Sequence, residues 1–135
     1  MKTVFLVVGV PGSGKTWVCK QLAHKFAYVP HDDHDEREYP EVLFAETSET
    51  KPVLGEIPFG LSKIHAELVA KGAHVVPVFI LEDESTLKRR YQTREGKPIL
   101  AGHLSRQKTY RVRASELGAF TGTAAEVLSF LGEQA

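Results

Sequence analysis

The strongest constraint on this chain lies in its first sixteen residues. An apolar, β-branched run, Thr3-Val4-Phe5-Leu6-Val7-Val8, passes directly into Gly9-Val10-Pro11-Gly12-Ser13-Gly14-Lys15-Thr16. A continuous apolar run of this length, ended by glycine, reads as a strand buried on both faces, as in a parallel sheet. The octapeptide after it fills every fixed position of G-x-x-x-x-G-K-[ST]. Glycines at 9, 12 and 14 let the backbone take positive φ and turn its N–H groups inward around an anion. Lys15 supplies a mobile cation for β- and γ-phosphates. Thr16 offers a hydroxyl to Mg²⁺, and the helix that follows points its positive end at the same anion. The sequence therefore predicts a nucleotide-phosphate site made by Gly9, Pro11, Gly12, Ser13, Gly14, Lys15 and Thr16. The adjacent Trp17 joins it, although packing is the commoner role for such a residue.

Strand and helix periodicities alternate beyond the loop. Val18, Leu22 and Phe26 form one stripe of a helix over 15–26, and Ala27-Tyr28-Val29 is a short strand stopped by Pro30. A helix interrupted by Pro40 is expected over 35–47, a strand over 52–57, and a helix marked by Leu61, Ile64 and Leu68 with Gly72 at its end. A strand over 75–81 and a helix over 84–95 follow, then a basic, irregular stretch over 96–113. Thr123-Ala124-Ala125-Glu126 is a capping box opening a last helix that buries Val127, Leu128 and Leu131. Alternation of this kind predicts one three-layer α/β domain over residues 1–135, with helices on both faces of a parallel sheet. The expected strand order is 2-3-1-4. A fifth strand near 115–121 should be short or absent, because that segment is weakly apolar and Pro77 suits a strand edge.

Composition excludes several classes. At 42% hydrophobic and 25% charged, the chain is neither disordered nor a coiled coil. Seventeen basic and seventeen acidic residues leave no global field to draw it to nucleic acid or membrane. A single cysteine, Cys19, cannot form an intrachain disulfide, and no apolar run is long enough to span a membrane, so a cytoplasmic setting is expected. Charge is nevertheless segregated. The segment 32–56 carries nine acids and two bases, and 88–113 carries nine bases and one acid. Charge alone leaves two readings: two solvated faces that attract each other, or an acidic rim facing a basic lid over 88–113 with a multiply charged anion held between them.

Val-Pro-Gly-Ser-Gly-Lys-Thr directly after an N-terminal strand resembles the small P-loop kinases. Among them it is most similar to the polynucleotide-kinase and zeta-toxin-like group, many of them phage-encoded. The resemblance implies a P-loop NTPase fold and ATP with Mg²⁺ as cofactors. It also implies a carboxylate base on the Arg-Asp-Asp motif of those kinases, which maps onto His31-Asp32-Asp33. Asp32 takes the place of the base, with Asp33 as its neighbour. The chain departs from that pattern at Asp35, where those kinases carry an arginine; Arg37 is the nearest substitute. Leu87-x-x-Arg90-x-x-x-Arg94 is similar to their lid helix, whose arginines neutralise the transferring phosphoryl group. Arg106 could join them.

The reading that follows is an ATP-dependent phosphotransferase acting on a hydroxyl of a DNA or RNA end, a modified base or a nucleotide. The alternative is a P-loop NTPase or nucleotide-binding regulator with no acceptor but water. A GTPase would need Asn-Lys-x-Asp, and the chain has no Asn. Val53-Leu54-Gly55-Glu56 imitates the acidic strand end of such enzymes poorly, which leaves Glu56 as a candidate replacement for the missing aspartate.

Overall fold

The computed structural model describes residues 2–134. Its strands are β1 (Thr3–Val8), β2 (Ala27–Val29), β3 (Val53–Ile57), β4 (His74–Ile80) and β5 (Phe120–Gly122). They form one sheet in the order β2-β3-β1-β4-β5, and every neighbouring pair is parallel. The helices are α1 (Lys15–Gln21), α2 (Tyr39–Ala45), α3 (Leu61–Ala70), α4 (Glu84–Glu95), α5 (Ala101–Leu117) and α6 (Ala124–Gly132).

The central strand explains the layering. Val4 to Val8 are all buried, so β1 has no solvent face. Val4, Leu6 and Val8 join a core with residues of α2, α3, α4 and α5. Phe5 and Val7 join a second core with residues of α1 and α6. Alternate side chains of one strand thus require cover on both sides. Register pairs Val8 with Ile57 on one flank and with Phe79 on the other, which brings the strand ends that precede the phosphate loop and Glu56 to one edge. Ligands bind at that edge in open α/β sheets. No helix among the described residues is long and apolar enough to cross a membrane.

The fifth strand is present and only three residues long. Pro77 fits for a specific reason. The N–H of His74 donates to Lys2 on the β1 side, and that of Leu81 donates to Gly122 on the β5 side. Alternate residues of a parallel strand address opposite neighbours, so position 77 faces β5, which begins its pairing only at Val78. The missing N–H therefore removes no ladder bond.

Three expected boundaries are corrected. The first helix ends at Gln21 and not near 26; a series of turns carries the chain on, with Leu22 and Phe26 still buried. Pro40 does not interrupt a helix but lies in the first turn of α2, where a missing N–H has no partner to lose. The basic stretch over 96–113 is not irregular, since Ala101–Leu117 is a 17-residue helix. Its inward positions are held by Gln107, Tyr110 and Ala114, and a polar residue in the stripe hides the apolar period. The other helix ends follow their signals. Gly72 N–H donates to Val69 and Ala73 N–H to Leu68, a Schellman motif closing α3. Thr123 and Glu126 form the capping box of α6.

Candidate active site

The loop between β1 and α1 has the conformation its glycines allow. Gly12 and Gly14 sit at φ 90 and 97, and Gly14 is the N-cap of α1, with no side chain capping the first turn. A Cβ at Gly9 would collide with Ser13 Oγ, so only glycine there admits the inward-turned serine. Ser13 is fully buried, and its hydroxyl has no hydrogen-bond partner. Free backbone donors, an orphaned hydroxyl and Lys15 make a cradle that fits phosphate oxygens. Lys15 is held below the usual lysine pKa by burial, while Glu56 pulls it back up and Arg94 adds to the depression.

Glu56, at the end of β3 and 3% exposed, is the hub of this edge. Its Oε2 accepts from Thr16 Oγ1 at 3.3 Å and from the Tyr28 hydroxyl at 2.9 Å. Burial and the Glu56 carboxylate raise the Tyr28 pKa. Tyr39, fully buried, donates to the Val29 carbonyl at 2.6 Å and accepts from the Glu56 N–H at 3.0 Å. A Cβ on Gly55 would approach Leu43 to 2.8 Å and the Tyr39 hydroxyl to 3.1 Å. The glycine that weakens the acidic strand end as a motif is thus what lets Tyr39 brace it. Thr16 Oγ1 and the Glu56 carboxylate are the donor set that could hold Mg²⁺ through oxygen.

A cleft of about 690 Å³ opens beside this edge, lined by Lys15, Thr16 and Glu56 together with Asp32, Phe59 and Arg94. Asp32 sits on the single 3-10 turn His31–Asp33, with its side chain 96% exposed. His31 also lines the cleft; its ring packs edge-on against Tyr39 and Phe59, and neither ring nitrogen has a hydrogen-bond partner. Asp33 is exposed on the same turn and is not part of the cleft wall.

Arg90 and Arg94 separate. Arg94 reaches the cleft, paired with Glu95 at 3.1 Å. Arg90 instead donates to the Ser13 carbonyl at 3.1 Å and stands 3.4 Å from Glu82 Oε1. With Gly14, Trp17, Ala124 and Ala125 it lines a second pocket of about 360 Å³. Trp17 is 50% exposed there, so it is not a core residue. Sequence reasoning missed Glu82. It is buried, its carboxylate accepts from the Ala124 N–H at 2.8 Å, and Gln107 clamps its backbone with bonds of 2.7 and 3.3 Å. One carboxylate therefore ties the phosphate loop, α4 and the start of α6 together. Replacing Glu82 by Gln removes the charge that holds Arg90. We expect about tenfold weaker ATP binding by calorimetry, equivalent to about 1.4 kcal/mol, with the chain still folded. Unchanged ATP affinity would show that Arg90 needs no such anchor.

Neither a family model nor a curated protein matches the chain. Solved structures do match it over nearly its whole length. A gluconokinase from Sinorhizobium meliloti 1021 is 21% identical, with a TM-score of 0.59, covering 98% of this chain and 94% of that one. An uncharacterized protein from Eubacterium ventriosum ATCC 27560 is 14% identical, with a TM-score of 0.58, covering 99% and 98%. A de novo designed PLOOP2X3_50 fold protein is 18% identical, with a TM-score of 0.55, covering 99% and 93%. The chain has the three-layer P-loop NTPase fold.

Proposed function

We propose that the chain is a cytoplasmic, ATP-dependent kinase that moves the γ-phosphate to a hydroxyl of a nucleic-acid or nucleotide-like acceptor. The observation that carries this reading is the cleft itself, which Lys15, Thr16, Glu56, Asp32 and Arg94 line together. A phosphate cradle with a carboxylate and a guanidinium in the same cleft supplies the parts that phosphoryl transfer needs.

In this reading Lys15 and the loop N–H groups hold the β- and γ-phosphates of ATP, and the pocket beside Trp17 and Arg90 receives the base. Mg²⁺, held by Thr16 and Glu56, would neutralise phosphate charge. Asp32 takes the proton of the acceptor hydroxyl as its oxygen attacks the γ-phosphorus. The bond from that phosphorus to the bridging oxygen breaks, and ADP leaves with the electron pair. Arg94 neutralises the charge on the moving group. Residues 88–113, the latter part of α4 and most of α5, act as the lid. His31 lines the same cleft, with Nδ1 3.7 Å from the Asp32 carboxylate and neither ring nitrogen in a hydrogen bond.

One observation favours the second reading, an NTPase whose acceptor is water: Asp32 is almost fully solvated, and among the described residues only His31, at 3.7 Å, is paired with it. Transfer of label from γ-labelled ATP across a panel of nucleosides, nucleotides and 5′-hydroxyl oligonucleotides separates the two. A labelled acceptor supports the kinase; label found only as free phosphate supports the NTPase. Within the kinase reading, Asp32→Asn should lower kcat about a hundredfold while leaving ATP affinity intact, because the carboxylate acts on the acceptor. Normal turnover by this variant would pass the role to Asp33, and normal turnover by both variants would remove the carboxylate from the mechanism.

A further inference from the structure

A groove of about 840 Å³ lies between the first turn of α3 and the middle of α5, outside the cleft described above. Its walls carry Lys63 from α3 and Arg106, Thr109 and Arg113 from α5. Thr109 donates to the Ser105 carbonyl at 3.3 Å, whereas the cations lack carboxylate partners among the described residues. Arg113 Nε is buried with no hydrogen-bond partner. None of Lys63, Arg106 and Arg113 belongs to an ion pair among the described residues. The α3 helix begins at Gly60 with no side-chain cap and no acid in its first turn. Its first N–H groups therefore add positive potential at the same place. His65 on α3 is held below the usual histidine pKa by burial and then by Arg113. Two exposed carboxylates approach the groove, Glu116 along α5 and Glu36 beside Gly60.

The groove meets the cleft at one aromatic residue. Phe59 is 40% exposed and lines the cleft, and the Arg106 guanidinium lies 5.8 Å from its ring centroid. Arg106 and Arg113 are two helical turns apart, about 10 Å along α5, farther than one phosphate group reaches. An exposed ring beside a line of cations is the arrangement that holds single-stranded nucleic acid, with bases on the ring and phosphates along the cations.

We propose that this groove binds the phosphates of a single-stranded nucleic acid whose terminal hydroxyl enters the adjoining cleft. The inference rests on the kinase reading for what happens at that hydroxyl, but the groove is tested without it. The probe is a fluorescently labelled thymidine octamer, followed by anisotropy without ATP across a salt series. Arg113→Gln and Lys63→Gln should each weaken binding about five- to tenfold and lower the salt slope by about one. ATP affinity should stay unchanged in the Lys63 variant, which lies outside the lid. Lys63 is exposed, so its variant folds even if the Arg113 variant does not. Octamer affinity that neither variant changes overturns the proposal. So does a thymidine 3′-monophosphate that binds the wild type as tightly as the octamer, which would make the groove a site for one small anion. Octamer binding that responds to the variants, in a protein that labels no acceptor, would sink the kinase reading and leave the groove standing.

Discussion

Lys15→Ala should reduce phosphoryl transfer about a thousandfold, about 4 kcal/mol of transition-state stabilisation, without lowering the melting temperature. The two halves of this result have one cause. The ammonium sits at the start of α1 among Glu56, Arg94 and Asp32, and burial holds its pKa below the ordinary lysine value. For a base, a lowered folded-state pKa means that the protonated form is disfavoured by folding. That penalty is fully present at neutral pH and disappears as pH rises above the ordinary lysine range. Removing the side chain removes the penalty together with the catalytic charge, so stability should hold or rise at pH 7 while turnover collapses. Single-turnover rates and thermal melts of both proteins at pH 7 check this. A variant that retains more than a tenth of the wild-type rate would refute the assignment of Lys15 to the phosphates.

Glu56→Gln should lower kcat by about a hundredfold and raise the Mg²⁺ concentration needed for half-maximal activity by at least about tenfold. The carboxylate accepts from Thr16 and Tyr28 and is braced through its own N–H by Tyr39. The amide keeps the shape and loses the negative charge, which is what a hard cation requires of its oxygen ligand. Tyr28→Phe is the control. It removes one hydrogen bond to Glu56, costs about 1 kcal/mol of stability, and should leave the Mg²⁺ requirement within about twofold. If the Gln variant shows an unshifted Mg²⁺ dependence, Glu56 only braces Thr16, and the metal reading fails.

The Glu56 arrangement also shows why part of the site is hard to read in one dimension. Val53-Leu54-Gly55-Glu56 looks like a defective acidic strand end as long as each residue is considered alone. The glycine makes sense only once Tyr39, distant along the chain, is seen to fill the space a Cβ would take. Glu82 is a second case. In sequence it is one acid in Leu81-Glu82-Asp83-Glu84, and nothing in the pattern separates the buried member from the helix cap Asp83. Arg90 and Arg94 are a further case. A spacing of four puts both on one helical face, yet Arg90 lines the pocket beside Trp17 and bonds the Ser13 carbonyl while Arg94 lines the cleft.

Local chemistry was sufficient for the strand and loop from Thr3 to the start of α1 at Lys15, for the end of α3 at Gly72 and for the capping box at Thr123. Each depends on the φ preference of glycine or on a side chain meeting backbone within four residues, so neighbours along the chain hold all the information. Alternation of strand and helix patterns was enough for a parallel sheet with helices on both faces, and the observed order agrees with the expected 2-3-1-4, with β5 beside β4. The helix Ala101–Leu117, the hub at Glu56 and the anchor at Glu82 were decided by tertiary structure. In all three, a polar residue occupies a buried position because a distant partner satisfies it: Gln107 with the backbone of Glu82, Glu56 with Thr16, Tyr28 and Tyr39, and Glu82 with Ala124 and Arg90. Burying a polar group is costly until that partner arrives, and the partner lies tens of residues away, where periodicity carries no record of it.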